Sequence, residues 1–170
     1  MTVVKLSLNK IQNLALEVFS KNGCDSENAS ALTRTVVNAE RDGSHSHGLF
    51  RVPGYVASLR SGKVNGVANP KISHKSPVII NVNGDGGYAP LAIERGIPAL
   101  AKSATEFGIA AMTVTNTHHF AALWPEVEAL AEKNLVGMAC VRSMPVVAPF
   151  GSNIPLFGTN PLAFAWPRKN

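Results

Sequence analysis

Asn83-Gly84-Asp85-Gly86-Gly87-Tyr88-Ala89 stands between an apolar run, Val78-Ile79-Ile80-Asn81-Val82, and a long amphipathic segment at 89–107. The fold turns on how this stretch is read. Residues 84–89 fit the pattern G-x-G-x-x-A between a strand and a helix, and Glu106 follows about twenty residues later, which together make up a dinucleotide-binding fingerprint. That fingerprint needs its acid at the end of a second strand, where it can reach a ribose hydroxyl. Glu106 falls instead inside the helical run that begins at Ala89. The stretch therefore reads as a glycine turn feeding a helix, within a chain of α/β class.

Upstream the texture is helical. Ile11, Leu14, Ala15, Val18 and Phe19 recur at helical spacing over 7–22, and Gly23 stops the run. Ser26-Glu27-Asn28 opens a second helix with Ala29, Leu32, Val36 and Val37 on one face, ending near Arg41-Asp42-Gly43, and a third carries Val56 and Leu59 up to Ser61-Gly62. Gly66, Asn69 and Pro70 mark a loop. Strands are expected at 77–82, 109–114, 135–141 and 161–166, with helices at 89–107 and 121–133. This predicts an N-terminal helical segment, 1–62, followed by alternating strands and helices, 63–170. Few strands accompany many helices, and the last lies close to residue 170, so further sheet is expected downstream.

Of the 170 residues, 45% are hydrophobic and 16% charged, enough to bury a core and unlike a disordered chain. The net charge is +5, but the basic residues are scattered and only 6% of residues are aromatic, which argues against a nucleic-acid surface. A small anionic ligand suits a mild positive excess better. Cys24 and Cys140 lack any CxxC spacing and are expected to be free, mostly buried thiols in a reducing compartment. The opening MTVVKLSLNK has no apolar signal region, and no run approaches the length of a membrane span, so a soluble cytoplasmic protein is expected.

Chemistry concentrates in Arg41-Asp42-Gly43-Ser44-His45-Ser46-His47-Gly48-Leu49-Phe50-Arg51. Histidine is the usual proton donor near neutral pH. Arg51 follows His47 by four residues, so a helix here would place both on one face, where a guanidinium fork could grip a carboxylate beside the imidazole. Pro53 favours a late helix start and leaves that shared face open, and a polar loop capped by Ser44 or Ser46 is the alternative. Thr115-Asn116-Thr117-His118-His119-Phe120 follows a strand, a common place for ligand-holding loops, although a histidine pair there is more often structural. His45, His47, His118 and His119 could in principle bind zinc, but no HExxH pattern or nearby acidic ligand accompanies them, and no metal is expected. Phe157-Gly158-Thr159-Asn160-Pro161 is turn chemistry before a strand.

Ser46-His47-Gly48 with Arg51 and Tyr55, then His118-His119-Phe120, then Phe157-Gly158-Thr159-Asn160-Pro161, in this order and spacing, resemble the malate/L-lactate dehydrogenase family of nicotinamide-dependent reductases, which does not use the Rossmann fold. Within it, ERDGSHSHGLFRVPGY, THHFAALWPEVE and PLFGTNPLAF are most similar to the Δ1-piperideine-2-carboxylate/Δ1-pyrroline-2-carboxylate reductase branch. The resemblance implies that the chain is the first half of that fold, with the cofactor-binding α/β domain truncated. It implies that His47 is the proton donor, that Ser46 belongs to the relay positioning it, and that Arg51 and Thr159 hold substrate. His119, Phe120, Ala121, Ala122 and Leu123 would line the cofactor site. The activity implied is reduction of a cyclic imino acid by NADPH, with NADH as the other candidate donor. A 2-keto acid dehydrogenase and an inactive remnant are the alternatives. The expected partners are a second copy in a homodimer or a separate polypeptide carrying the C-terminal half. Family members run to about twice this length, and the half not represented here carries the relay aspartate and further cofactor contacts, so the isolated chain is expected to be inactive.

Overall fold

The computed structural model describes residues 4–118 and 121–168. The chain forms two compact units, Met1–Ala122 and Leu123–Asn170. The boundary expected after residue 62 lies inside the first of them.

The first unit opens with α1 (Leu8–Lys21) and α2 (Ser26–Arg41). Ser7 caps α1 by accepting the Lys10 N–H at 3.3 Å, and Asp25 caps α2 by accepting the Asn28 N–H at 2.9 Å. Their apolar stripes meet. Ile11, Ala15 and Phe19 of α1 share a core with Ala29, Leu32 and Val36 of α2, and Tyr55 and Leu59 of α3 (Val52–Arg60) close it. Three aromatic rings form its centre. Phe19 meets Tyr55 edge-on at 5.8 Å, and Tyr55 meets Tyr88 edge-on at 5.1 Å.

A three-stranded sheet follows, in the order β1 (Lys71–Ser76), β2 (Ile79–Asn83), β3 (Ala111–Thr115). β1 runs antiparallel to β2, and β2 runs parallel to β3 with Ile79 opposite Ala111. The parallel pair needs a crossover, which is α4 (Ala89–Phe107). α4 lies so near the sheet that a Cβ on Gly96 would fall 2.3 Å from the Met112 sulfur and 2.8 Å from a Val82 methyl. β1 is absent from the sequence-based expectation, which placed 71–76 outside any strand. Its six residues contain one apolar side chain, Ile72, and nearly all are exposed. An edge strand guarded by lysines and serines carries no alternating pattern to detect.

The second unit packs α5 (Trp124–Ala131) against the antiparallel pair β4 (Gly137–Cys140) and β5 (Leu162–Ala165), with Gly137 opposite Ala165. A Cβ on Gly137 would meet Val127 and Leu130 at 3.2 Å, so this glycine sets the helix–strand spacing. Pro125 in the first turn explains why α5 begins later than the expected 121. The two thiols divide. Cys24 is buried, and burial pushes its pKa up to about 11, but Cys140 is exposed at the end of β4, contrary to expectation. It shares the solvent-facing side of β4 with Met138. No described helix is long and apolar enough to cross a membrane.

Candidate active site

The glycine turn is built to meet the protein itself. Its backbone donors are taken: Gly84 N–H by the Thr115 carbonyl at 2.8 Å, Gly86 by Asn116 at 2.9 Å, Gly87 by Gly84 at 2.9 Å and Ala89 by His118 at 2.9 Å. Asp85 N–H goes to the Asn83 side chain at 2.9 Å. A phosphate at such a turn needs those amides. A Cβ on Gly84 would lie 1.9 Å from the Thr117 methyl, and one on Gly87 would lie 2.4 Å from the Ala68 Cβ. The glycines admit protein neighbours, and the pyrophosphate of a dinucleotide does not fit here.

The turn also supports the next element. Tyr88 donates its hydroxyl to the Tyr55 carbonyl at 2.7 Å, and burial pushes the Tyr88 pKa up to about 12, so the phenol stays a donor. Burial likewise raises the Tyr55 hydroxyl. The Arg51 charge opposes that rise, which places the guanidinium within electrostatic reach of this ring.

Residues 45–51 are not one helix. They form two 3₁₀ turns, His45–His47 and Leu49–Arg51, broken at Gly48, so the shared helical face available to His47 and Arg51 does not exist. Ser46 links them instead. Its hydroxyl lies 3.0 Å from His47 Nδ1, with the Ser44 hydroxyl at 3.5 Å, and its carbonyl accepts the Arg51 Nε–H at 2.8 Å. One residue thus holds the imidazole by its side chain and the guanidinium by its backbone. Arg51 is fixed at Nε, and among the described residues neither terminal nitrogen has a hydrogen-bond or ion-pair partner. That leaves the fork that matches a carboxylate.

Glu40, in the last turn of α2, was not singled out from the sequence. Its Oε1 accepts the Leu49 N–H at 2.7 Å, and its Oε2 faces His45 Nδ1 at 2.8 Å. A glutamate directly before the Arg41–Asp42 pair was a visible signal, but a contact nine residues along the chain lies outside helical spacing.

The remaining expected site residues fall in several places. His118 forms a parallel bridge with Tyr88, donating its N–H to Gly87 and accepting from Ala89, which is a structural role for its backbone. His119 and Phe120 lie outside the described residues. Ala121 and Ala122 are half-buried, and Leu123 is buried at the head of the second unit. Ala121 and Ala122 bring only methyl groups to a non-helical loop. In the second unit the Thr159 hydroxyl pairs with that of Ser143 at 3.1 Å, and Asn160, at φ 43°, accepts the Ser143 N–H at 3.0 Å. The loop before β5 is therefore ordered by its own side chains, with Thr159 exposed. Among the described residues, no three of His, Cys, Asp and Glu gather as a metal cluster.

Comparison with known proteins bears on the same residues. The malate/L-lactate dehydrogenase family profile matches residues 6–170. The Δ1-pyrroline-2-carboxylate/Δ1-piperideine-2-carboxylate reductase of Pseudomonas putida is 45% identical over 166 residues, 98% of this chain and 49% of that protein. The Δ1-pyrroline-2-carboxylate reductase of Pseudomonas fluorescens is 44% identical over 97% of the chain. Among solved structures, the Δ1-piperideine-2-carboxylate reductase of Pseudomonas syringae superposes with a TM-score of 0.92 at 41% identity, covering 98% of this chain and 50% of that one. The malate dehydrogenase of Pyrococcus horikoshii gives 0.91 at 28% identity. The chain spans about half the length of these relatives. With the Ser46–His47–Arg51 linkage in place, a glycine turn closed to dinucleotides and a match from residue 6 onward, this chain belongs to the malate/L-lactate dehydrogenase family.

Proposed function

We propose that this chain supplies the proton donor and carboxylate clamp of a reductase that converts Δ1-pyrroline-2-carboxylate or Δ1-piperideine-2-carboxylate into L-proline or L-pipecolate. The observation that carries this reading is Arg51, held at Nε by the carbonyl of Ser46, whose hydroxyl meets His47, with no described residue pairing its two terminal nitrogens. A cyclic imine next to a carboxylate needs an anion grip, hydride at carbon and a proton at nitrogen. Arg51 grips the carboxylate and fixes the ring's position. As an imidazolium, His47 hydrogen-bonds the Ser46 oxygen through Nδ1–H and gives its Nε2 proton to the substrate ring nitrogen. The neutral imidazole then keeps its Nδ1 proton, still hydrogen-bonded to the serine. NADPH, when bound, supplies the hydride. Residues 119–123 would line its nicotinamide, and Thr159 would hold the substrate. NADH is the other candidate donor.

The names of the most similar relatives support an imine substrate, whereas the malate dehydrogenase likeness at 28% identity supports a 2-keto acid as the second reading. A homodimer, or pairing with a polypeptide carrying the second half of the fold, would complete the site, and we place the enzyme in the cytoplasm. The test follows NADPH absorbance with each cyclic imine and with pyruvate, using the chain alone and together with the second half of the Pseudomonas putida reductase. We expect the chain alone to be silent and the pair to oxidise NADPH with the imines. Faster turnover with pyruvate would replace this reading with the keto-acid one, and steady oxidation by the chain alone would show that it needs no second half.

Arg51→Ala should act on binding. Loss of a charge-assisted pair of hydrogen bonds is expected to raise the Kd of the cyclic acid by about 10- to 200-fold. Arg51→Lys should recover only part of this, because a point charge lacks the fork. Calorimetric titration with L-proline checks both variants, and an unchanged Kd in Arg51→Ala would remove the clamp from the scheme.

A further inference from the structure

We propose that Glu40 is a positioning residue, whose carboxylate sets the geometry of the proton donor by gripping both ends of the tripeptide that carries it. The proposal rests on the role given to His47 above. The Glu40 side chain is only 13% exposed. Its two oxygens serve two different residues: Oε1 takes the Leu49 N–H at 2.7 Å and Oε2 meets His45 Nδ1 at 2.8 Å. His45 and Leu49 flank Ser46-His47-Gly48, so one carboxylate spans the segment holding the acid and its serine partner.

Gly48 is what lets the carboxylate in. A Cβ there would lie 2.1 Å from Glu40 Oε1 and 2.6 Å from Cδ, so any other residue would displace the grip. Neither 3₁₀ turn has a side-chain cap at its own N-terminus. Besides the Ser44, Ser46 and Arg51 side-chain contacts described above, the segment is tied by backbone bonds: Ser44 N–H to Ala39 at 2.8 Å, His47 to Ser44 at 2.8 Å, Gly48 to His45 at 3.3 Å and Arg51 to Gly48 at 2.9 Å. Without the carboxylate, the Leu49 N–H loses its acceptor, and the break at Gly48 is left to the Arg51–Ser46 bond and the backbone bonds of the two turns, which hold the segment less tightly. Catalytic geometry tolerates little of this, since a displacement of about 1 Å can cost on the order of 100-fold in rate.

The test uses two readouts that require no catalysis: hydrogen exchange of the Leu49 amide and the ring ¹⁵N shifts of His47. Glu40→Ala should speed Leu49 exchange by about 10-fold or more and move the His47 shifts toward the average of the two tautomers. Glu40→Gln keeps an acceptor for Leu49 and gains a donor for His45 Nδ1, so it should restore both readouts to near the parent values. Glu40→Asp keeps the charge but is one methylene short, and should behave like Ala; it serves as the decisive variant if Glu40→Ala does not fold. Unchanged Leu49 exchange and His47 shifts in Glu40→Ala or Glu40→Asp, or failure of Gln to restore them, overturns the proposal. If the readouts respond as expected while His47→Ala leaves turnover intact, Glu40 still positions the turn and it is the role of His47 that falls.

Discussion

Replacing His47 with Ala is expected to lower imine turnover by about 10²–10⁴-fold, the usual contribution of a positioned general acid. At 1.36 kcal/mol per factor of ten this is about 3–5 kcal/mol of transition-state stabilisation. Binding of the cyclic acid should be largely kept, because the proposed carboxylate clamp is Arg51, whose own anchor is the Ser46 backbone and does not involve the imidazole. kcat should therefore fall while KM stays close to the parent value. Ser46→Ala should cost less than His47→Ala, since Ser44 also faces Nδ1 and the Ser46 carbonyl that holds Arg51 survives the substitution. Steady-state kinetics on the two variants, in the reconstituted enzyme, decides the matter. Equal, small losses in both would mean that the proton comes from elsewhere.

The largest expected effect on stability lies beneath the site. Phe19 is fully buried, and its ring stands edge-on to Tyr55 at 5.8 Å and 85°. Phe19→Ala removes a whole ring from a core in which Ala15, Ala29 and Val36 have no exposed surface and little freedom to collapse inward. Substitutions of this kind cost about 3–5 kcal/mol. Urea unfolding should show a lower midpoint at an unchanged slope. A loss below about 1 kcal/mol would mean that the core repacks around the gap. Because Tyr55 begins the path from this core to α3 and the motif before it, the variant should also loosen the segment carrying His47.

Some of this was legible in the residues and some was not. α4 was placed to the residue, because its signals are local: a glycine turn before it, Pro90 in its first turn and Gly108 at φ 81° after it. β1 was hidden, because an exposed edge strand carries no apolar alternation. The residues of the Ser46–His47–Arg51 group could be chosen by their chemistry, but their arrangement could not. Helical spacing suggested a shared face, whereas the actual link is a backbone carbonyl, which no side-chain pattern encodes. Glu40 escaped for a similar reason, since its partners sit five and nine residues away across two tight turns. The glycine stretch was read correctly as a turn, but the cause lies in Thr117 and Ala68, far from it in the chain.

The hydrogen bond from the Tyr88 hydroxyl to the Tyr55 carbonyl spans 33 positions, and it bears on how the protein is made. On the ribosome the segment around His47 emerges well before its supporting tyrosine. Until residue 88 clears the exit tunnel, α3 lacks one of its buried polar ties, and the ring of Tyr55 lacks a neighbour on one side. The turn that carries His47 thus gains its last support only once residue 88 has been made, although its own residues are among the earlier ones translated.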